Sequence, residues 1–235
     1  MINRLLYTFW TNEGNNLENN FVNIQQMVDL FNRSLEKSKE FFEHVVIYTD
    51  SEGKDFLEKA GVSDVEYVVL DYSQYKFNKE IWCFPKIITY SLQKERFLHI
   101  DMDLILEEKP RNLHEKLLCE KTRPLFQLST ERDFLPEMVK KHFNPINICS
   151  GALGGDPAIF KKLFTIASKV ADNKNLIVTP EVLFGIEEII LTSIASANNI
   201  SPAPIDCRFT HYQGYSNKST ERFERWQEED LIIAD

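Results

Sequence analysis

Short apolar segments alternate with longer segments of helical periodicity, and this alternation limits the fold more than any other feature of the chain. Strand-like runs occupy residues 5–10, 45–48, 65–70 and 97–100. Between the first two, apolar residues recur at the spacing of one helix face, at Ile24, Val28, Phe31 and Leu35. Strands that alternate with helices predict an α/β fold in which a mainly parallel central sheet is flanked by helices.

Capping signals place the remaining elements. Ser51 is a candidate N-cap for a helix that stops before Gly61, and Pro85 predicts the entry of a helix over residues 81–92. Asp156-Pro157 and Thr179-Pro180 are each typical of an N-cap followed by a first helical turn, the second leading to about Ala197. A further strand is expected over residues 125–128, and residues 148–153 lead into the glycine pair Gly154-Gly155.

Composition narrows the class of protein. The 235 residues show neither repeat nor obvious linker, so we expect a single domain over residues 1–235. A net charge of −9 argues against a nucleic-acid partner. The four cysteines form no C-x-x-C pair, and no run of about 18 apolar residues predicts a membrane span. We therefore expect a cytoplasmic protein. The sequence is also compatible with peripheral contact between the protein and a membrane.

The pattern Asp101-Met102-Asp103 carries the clearest chemistry. An apolar strand runs directly into it, and alternation of side chains puts both aspartates on one side. Open α/β sheets bind ligands at the carboxyl ends of their strands. Neighbouring carboxylates repel unless a cation lies nearby, and carboxylate oxygens suit Mg²⁺ or Mn²⁺. The alternative is a pair of solvated acids at a strand end.

A second pattern follows more than a hundred residues later. His211 offers an imidazole ligand, Gly214 allows close approach of the backbone, and Lys218 offers a positive charge for phosphate. Alone, this segment is typical of a surface loop. Together with Asp101 and Asp103, it predicts a metal site with three protein ligands, Asp101, Asp103 and His211.

In these features the chain resembles the GT-A glycosyltransferases with a D-x-D motif, in the style of bacterial polysaccharide enzymes and of the glycogenin-like group. The resemblance implies a Rossmann-like GT-A domain whose first two strands line a nucleotide pocket. It assigns donor-binding roles to residues along most of the chain: Thr8, Trp10, Tyr48, Asp50, Lys86, Asp101, Gly154 and Lys218. Of these, Gly154 belongs to a segment, residues 147–155, that resembles the loop around the donor sugar. The segment from His211 is similar to an H-x-x-G-x-x-K motif, with four residues rather than three from Gly214 to Lys218 and without the usual Pro-Trp after the lysine.

The function that the resemblance implies is a metal-dependent transferase of the hexosyltransferase class. Mn²⁺ or Mg²⁺ and a nucleotide-diphosphate sugar, with a UDP-sugar favoured, would be cofactor and donor, and a saccharide or another hydroxyl compound the acceptor. Glu187 and Glu188 are candidates for the acceptor's base or for binding sugar hydroxyls; on an α-helix at most one of them is expected to face the site. The alternatives are an aspartyl-phosphate type phosphatase and a catalytically silent nucleotide-sugar-binding protein.

Overall fold

The computed structural model describes residues 2–11, 24–124, 135–142, 146–173 and 185–212. The helices in this part of the chain are α1 (Ile24–Phe41), α2 (Ser51–Lys59), α3 (Phe84–Ser91), α4 (Glu137–Lys141), α5 (Pro157–Ala171) and α6 (Ile190–Ala197). The strands are β1 (Arg4–Phe9), β2 (His44–Thr49), β3 (Glu66–Val69), β4 (Phe97–Ile100), β5 (Leu104–Leu106), β6 (Leu117–Cys119), β7 (Thr122–Pro124), β8 (Ile146–Ile148), β9 (Ala152–Gly155), β10 (Ala203–Pro204) and β11 (Phe209–His211). A 3₁₀ turn covers Tyr72–Gln74, and a π-helical turn, Gly185–Ile189, leads into α6.

A seven-stranded sheet forms the centre of this structure, in the order β10-β6-β9-β4-β1-β2-β3. Strands β4, β1, β2 and β3 run parallel, as do β10 and β6, and β9 is antiparallel to both of its neighbours. The expected α/β architecture with a mainly parallel central sheet and flanking helices is thus confirmed. The carboxyl ends of β4, β1, β2 and β3 share one edge of the sheet.

Alternation along β1 divides the core into two layers. Leu5, Tyr7 and Phe9 face the layer that contains buried residues of α1 and α2, whereas Leu6 faces the layer built on α3, α5 and α6. Because helices cover both faces of β1, most of its residues are apolar, as is typical of a parallel strand between two helical layers. Tyr7 Oη completes its side of the core by hydrogen bonding to two serine hydroxyls of α1, at 2.8 and 2.7 Å.

The capping signals are largely confirmed. Helix α2 ends before Gly61, whose φ of 85° suits glycine, and Asp156 caps α5 by accepting a hydrogen bond from Ala158 N at 2.9 Å. The N-cap of α2 is however Asp50 rather than Ser51, because the Asp50 carboxylate accepts from Gly53 N at 2.7 Å. Helix α6 ends at Ala197 as expected; the signal at residues 179–180 lies outside the described residues, as does the strand expected at 125–128.

One other expected element differs in extent. The helix expected over residues 81–92 spans only Phe84–Ser91, with Pro85 in its first turn. Residues 148–153, which lead into the glycine pair, cover the end of β8, a turn at residues 149–151 and the start of β9. Within the described ranges, no helix has both the length and the apolar character that a membrane-spanning segment requires.

Candidate functional site

Asp101 and Asp103 lie on either side of a tight turn at the carboxyl end of β4. The turn is closed by a hydrogen bond from Leu104 N to Asp101 O at 3.1 Å, after which β5 begins. Asp101 N donates to Gly151 O at 2.8 Å, so the turn is also tied to the segment between β8 and β9. The side chains of Asp101 and Asp103 are 27% and 23% exposed, which leaves both carboxylates accessible from solvent.

His211 reaches these acids through a separate pair of strands. β11 pairs antiparallel with β5, with His211 opposite Leu104, and Tyr212 N donates to Asp103 O at 2.9 Å. The ligand atoms of Asp101, Asp103 and His211 lie within 4.8 Å of one another, and His211 Nε2 is 3.4 Å from Asp103 Oδ1. The structure therefore brings together the three side chains that the sequence predicts as metal ligands. Two carboxylates and one imidazole form a donor set that suits Mn²⁺, and carboxylates alone suit Mg²⁺.

Behind the imidazole lies Glu120, a residue that the sequence interpretation missed. Its Oε2 is 2.9 Å from His211 Nδ1, and its side chain is 1% exposed. Burial raises the pKa of Glu120, but hydrogen bonding and charge attraction from His211 outweigh it and bring the pKa down to about 2. Burial likewise lowers the pKa of His211, but Asp103 and Glu120 outweigh it and raise the pKa to about 10. Without a metal, His211 is thus held as an imidazolium between two acids at neutral pH.

On its core side, Asp101 contacts the ammonium group of Lys86. Lys86 Nζ lies 2.7 Å from Asp101 Oδ1 and 3.6 Å from Glu187 Oε2, and its side chain is only 8% exposed. Burial lowers the pKa of Lys86, but the two carboxylates outweigh it, so the net shift is upward and the ammonium stays charged. Tyr90 Oη donates a hydrogen bond to Glu187 Oε1 at 2.7 Å. Burial raises the pKa of Glu187 to about 7, although Lys86 opposes that shift.

Glu187 and Glu188 are both buried, at 2% exposure each, so neither side chain lies at the protein surface. They lie in the π-helical turn Gly185–Ile189, where the periodicity differs from that of an α-helix. The Glu188 carboxylate accepts from Asn147 Nδ2 at 2.6 Å and from Ser150 N at 3.1 Å. The pair therefore holds Asp101 from two directions: Glu187 through Lys86, and Glu188 through the segment whose Gly151 carbonyl accepts from Asp101 N.

A cleft of about 670 Å³ opens at the carboxyl ends of β1, β2 and β3. Trp10 lies in its wall, with its ring centroid 5.9 Å from that of Tyr72 and 5.7 Å from that of Phe77. Asp50 and Asp71 line the same cleft, so the wall combines flat aromatic rings with carboxylates. Of the residues expected to bind the donor, the structure places Trp10 and Asp50 in this cleft, and Lys86 and Asp101 at the acidic cluster.

Three other expected donor-binding residues lie elsewhere. Tyr48 is 5% exposed and points into the core, because its position on β2 faces α3; its hydroxyl donates to Gln93 Oε1 at 3.4 Å. Thr8 Oγ1 donates to Thr89 Oγ1 at 2.9 Å and lies 3.0 Å from His99 Nε2. Gly154 is buried in β9 between β4 and β6, where a Cβ atom would collide with Phe97 O. Lys218 and Gly214 lie outside the described residues.

A comparison with protein families places the chain. The model of DUF6734, a family of unknown function, matches residues 3–231. The chain belongs to the DUF6734 family. A search of curated proteins found no match. The chemistry of this DUF6734 member must therefore be argued from its own side chains.

Proposed function

We propose that the chain is a metal-dependent glycosyltransferase of GT-A type, which moves a sugar from a nucleotide-diphosphate donor, a UDP-sugar by preference, to a hydroxyl acceptor. The observation that carries the proposal is the convergence of Asp101, Asp103 and His211 within 4.8 Å at the sheet edge that also bears the cleft. A nucleotide that places its base in the cleft and its diphosphate at Asp101 and Asp103 requires the cleft and the metal ligands to be neighbours. Both occur at the carboxyl ends of adjacent parallel strands, where open α/β sheets place ligands.

The donor set fits a hard divalent cation. Asp101 and Asp103 supply oxygen atoms and His211 supplies a nitrogen atom, and both carboxylates are partly exposed. A divalent ion bound there, Mn²⁺ or Mg²⁺, would neutralise the charge that develops on a departing nucleoside diphosphate. A chain of net charge −9 could in this way hold an anionic donor.

The remaining side chains prepare this arrangement. Lys86 fixes the Asp101 carboxylate from the buried side, and Trp10, which is half-buried in the wall of the cleft, offers its ring to a base bound there. Because Glu187 and Glu188 are buried and hydrogen bonded to neighbouring groups, we assign them to positioning rather than to deprotonation of the acceptor. The role of Lys218 as a counter-charge for phosphate stays a prediction.

The phosphatase alternative is less well supported. An aspartyl-phosphate enzyme needs an aspartate that is free to attack phosphorus, usually directly after the first strand. Here Asp101 follows the fourth of the strands in the described residues, and its carboxylate is paired with Lys86 at 2.7 Å.

Thermal unfolding tests the proposal. UDP together with Mn²⁺ should raise the midpoint of unfolding, whereas UDP alone should have little effect, and Asp103→Ala should abolish the joint effect. Asp55→Ala, which removes an exposed acid of α2, is the matched control and should keep it. A parallel screen of nucleotide sugars should find one that is hydrolysed only with Mn²⁺, because transferases can pass their donor sugar to water.

The outcomes separate the candidate functions. Absence of any metal-dependent binding of nucleoside diphosphates contradicts the proposal. Hydrolysis of generic phosphoesters with Mg²⁺ alone would favour the phosphatase. Metal-dependent binding of a nucleotide sugar without transfer or hydrolysis would favour a silent binding protein.

A further inference from the structure

Glu120 contacts the group formed by Asp101, Asp103 and His211, but it belongs neither to the D-x-D pattern nor to the pattern around His211. It directly follows β6, two strands away from β4 in the central sheet, and its side chain is almost completely buried. Its Oε2 lies 2.9 Å from Nδ1 of His211, while Nε2 of the same ring points to Asp103 Oδ1 at 3.4 Å. The ring thus presents its two nitrogen atoms to two different acids.

The backbone beside this contact is shaped to permit it. Gly151 lies against both partners, and a Cβ atom at this position would collide with the His211 ring and would come 2.5 Å from Glu120 Oε2. A side chain at residue 151 would therefore separate the imidazole from the glutamate. Lys121 Nζ, 3.2 Å from Glu120 Oε1, balances the buried charge from the other side.

We propose that Glu120 is the positioning residue of the metal centre: it accepts the Nδ1 proton of His211 in a hydrogen bond and so directs Nε2 to the cation. This inference rests on the proposed function in that it takes Asp101, Asp103 and His211 as ligands. A histidine ligand typically donates its second ring N–H to a carboxylate or carbonyl, which fixes both the tautomer and the ring orientation. Asp103 cannot serve in this way, because it lies on the Nε2 side.

The test measures Mn²⁺ binding in the absence of nucleotide, by electron paramagnetic resonance of the free ion. Glu120→Gln keeps the size of the side chain but removes its charge, and it should weaken Mn²⁺ binding about 10- to 100-fold. Glu108→Gln is the matched control, because Glu108 pairs with Arg208 at 2.7 Å and Arg208 lies just before β11. Glu108→Gln loses an ion pair beside β5 and β11 but leaves the contacts of His211 unchanged. Its Mn²⁺ affinity should therefore stay within twofold of wild type.

A second readout separates positioning from a merely structural role. In ¹H–¹⁵N spectra of protein saturated with Zn²⁺, a diamagnetic ion that binds imidazole nitrogen, the Nδ1 proton of His211 should exchange slowly with solvent in wild type and faster in Glu120→Gln. If Glu120→Gln fails to fold, Glu120→Asp provides the same comparison, because it keeps the charge but draws the carboxylate back from Nδ1. Its Mn²⁺ affinity should fall below that of wild type, by less than the 10- to 100-fold loss expected for Glu120→Gln.

The results distinguish failure of this inference from failure of the proposed function. Mn²⁺ affinity within twofold of wild type in Glu120→Gln, or an unchanged exchange rate of the Nδ1 proton, overturns the role of Glu120 alone. Wild-type protein that binds no Mn²⁺ at millimolar concentration overturns both. Protein that binds Mn²⁺ in a Glu120-dependent way but no nucleoside diphosphate retains the positioning role and contradicts only the transferase.

Discussion

Asp50 and Asp101 stand at equivalent points of two strands, β2 and β4, that flank β1, yet their carboxylates have different partners. Asp50 accepts from the backbone and hydroxyl of Thr11 and from Gly53 N, at 2.7–3.1 Å. Asp101 instead faces the ammonium of Lys86 on one side and the cluster with Asp103 and His211 on the other. An acid after an apolar strand therefore becomes a helix cap when backbone donors are local, and part of a charged cluster when long-range side chains reach it.

The largest expected effect concerns the buried cation beside Asp101. Lys86→Met leaves the carboxylates of Asp101 and Glu187 without their ammonium partner, and breaking a buried pair in this way should lower the free energy of unfolding by about 3 kcal/mol. The measurement is urea denaturation at neutral pH. The cost should shrink at acidic pH, since Glu187, whose pKa is already raised to about 7, then takes up a proton.

The surface pair Lys54–Glu58 provides the control for this prediction. Its N–O distance is also 2.7 Å, but its side chains are 34% and 47% exposed. Lys54→Met should therefore cost less than about 1 kcal/mol. Equal losses of unfolding free energy in Lys86→Met and Lys54→Met would mean that the buried ion pairs of Lys86 stabilise the protein no more than a surface pair does.

A smaller effect is expected from the charge of His211. Its pKa is raised to about 10, so in the metal-free protein a proton must leave the ring before a metal can bind. Mn²⁺ affinity should accordingly rise by about tenfold per pH unit between about pH 6 and about pH 8. Titration by calorimetry at several pH values measures the slope, and His211→Gln should flatten it. A slope that persists in His211→Gln would assign the released proton to another group.

The smallest effect belongs to Asp50. Asp50→Ala removes the cap of α2 and should lower the free energy of unfolding by about 1 kcal/mol, with no change in Mn²⁺ affinity. Asp156→Ala, which removes the equivalent cap of α5, should cost a similar amount in the same denaturation experiment. Loss of Mn²⁺ binding in Asp50→Ala would mean that Asp50 also contributes to the metal site, which contradicts its role as a helix cap alone.

Local signals account for what the sequence predicts well. Asp156-Pro157 marks the start of α5 because a cap and a first turn involve only neighbouring residues, and apolar runs mark the buried strands for the same reason. The edge of the sheet at which Asp101 appears follows from strand direction alone. The convergence of Asp103 with His211 was an inference from ligand chemistry and not from periodicity.

The remaining features depend on long-range packing. Glu120 resembles any acid beside a lysine until the sheet order and the β5–β11 pair bring it to His211. Tyr48 shows that a strand end specifies the edge of a sheet but not which face a side chain takes. The burial of both Glu187 and Glu188 could not be predicted from helical periodicity, because the helical segment around them, residues 186–195, is buried on every face.

The short ladder between β5 and β11 has a consequence for how tolerant this centre is to change. Since Leu104 faces His211 and Leu106 faces Phe209, the spacing between imidazole and carboxylate is fixed by three paired residues. Insertions in the hundred or so positions between these strands need not alter that spacing. A one-residue slip within the ladder would instead turn the imidazole to the opposite side, and it would also displace Phe209 from the hydrophobic layer that contains Leu104 and Leu106.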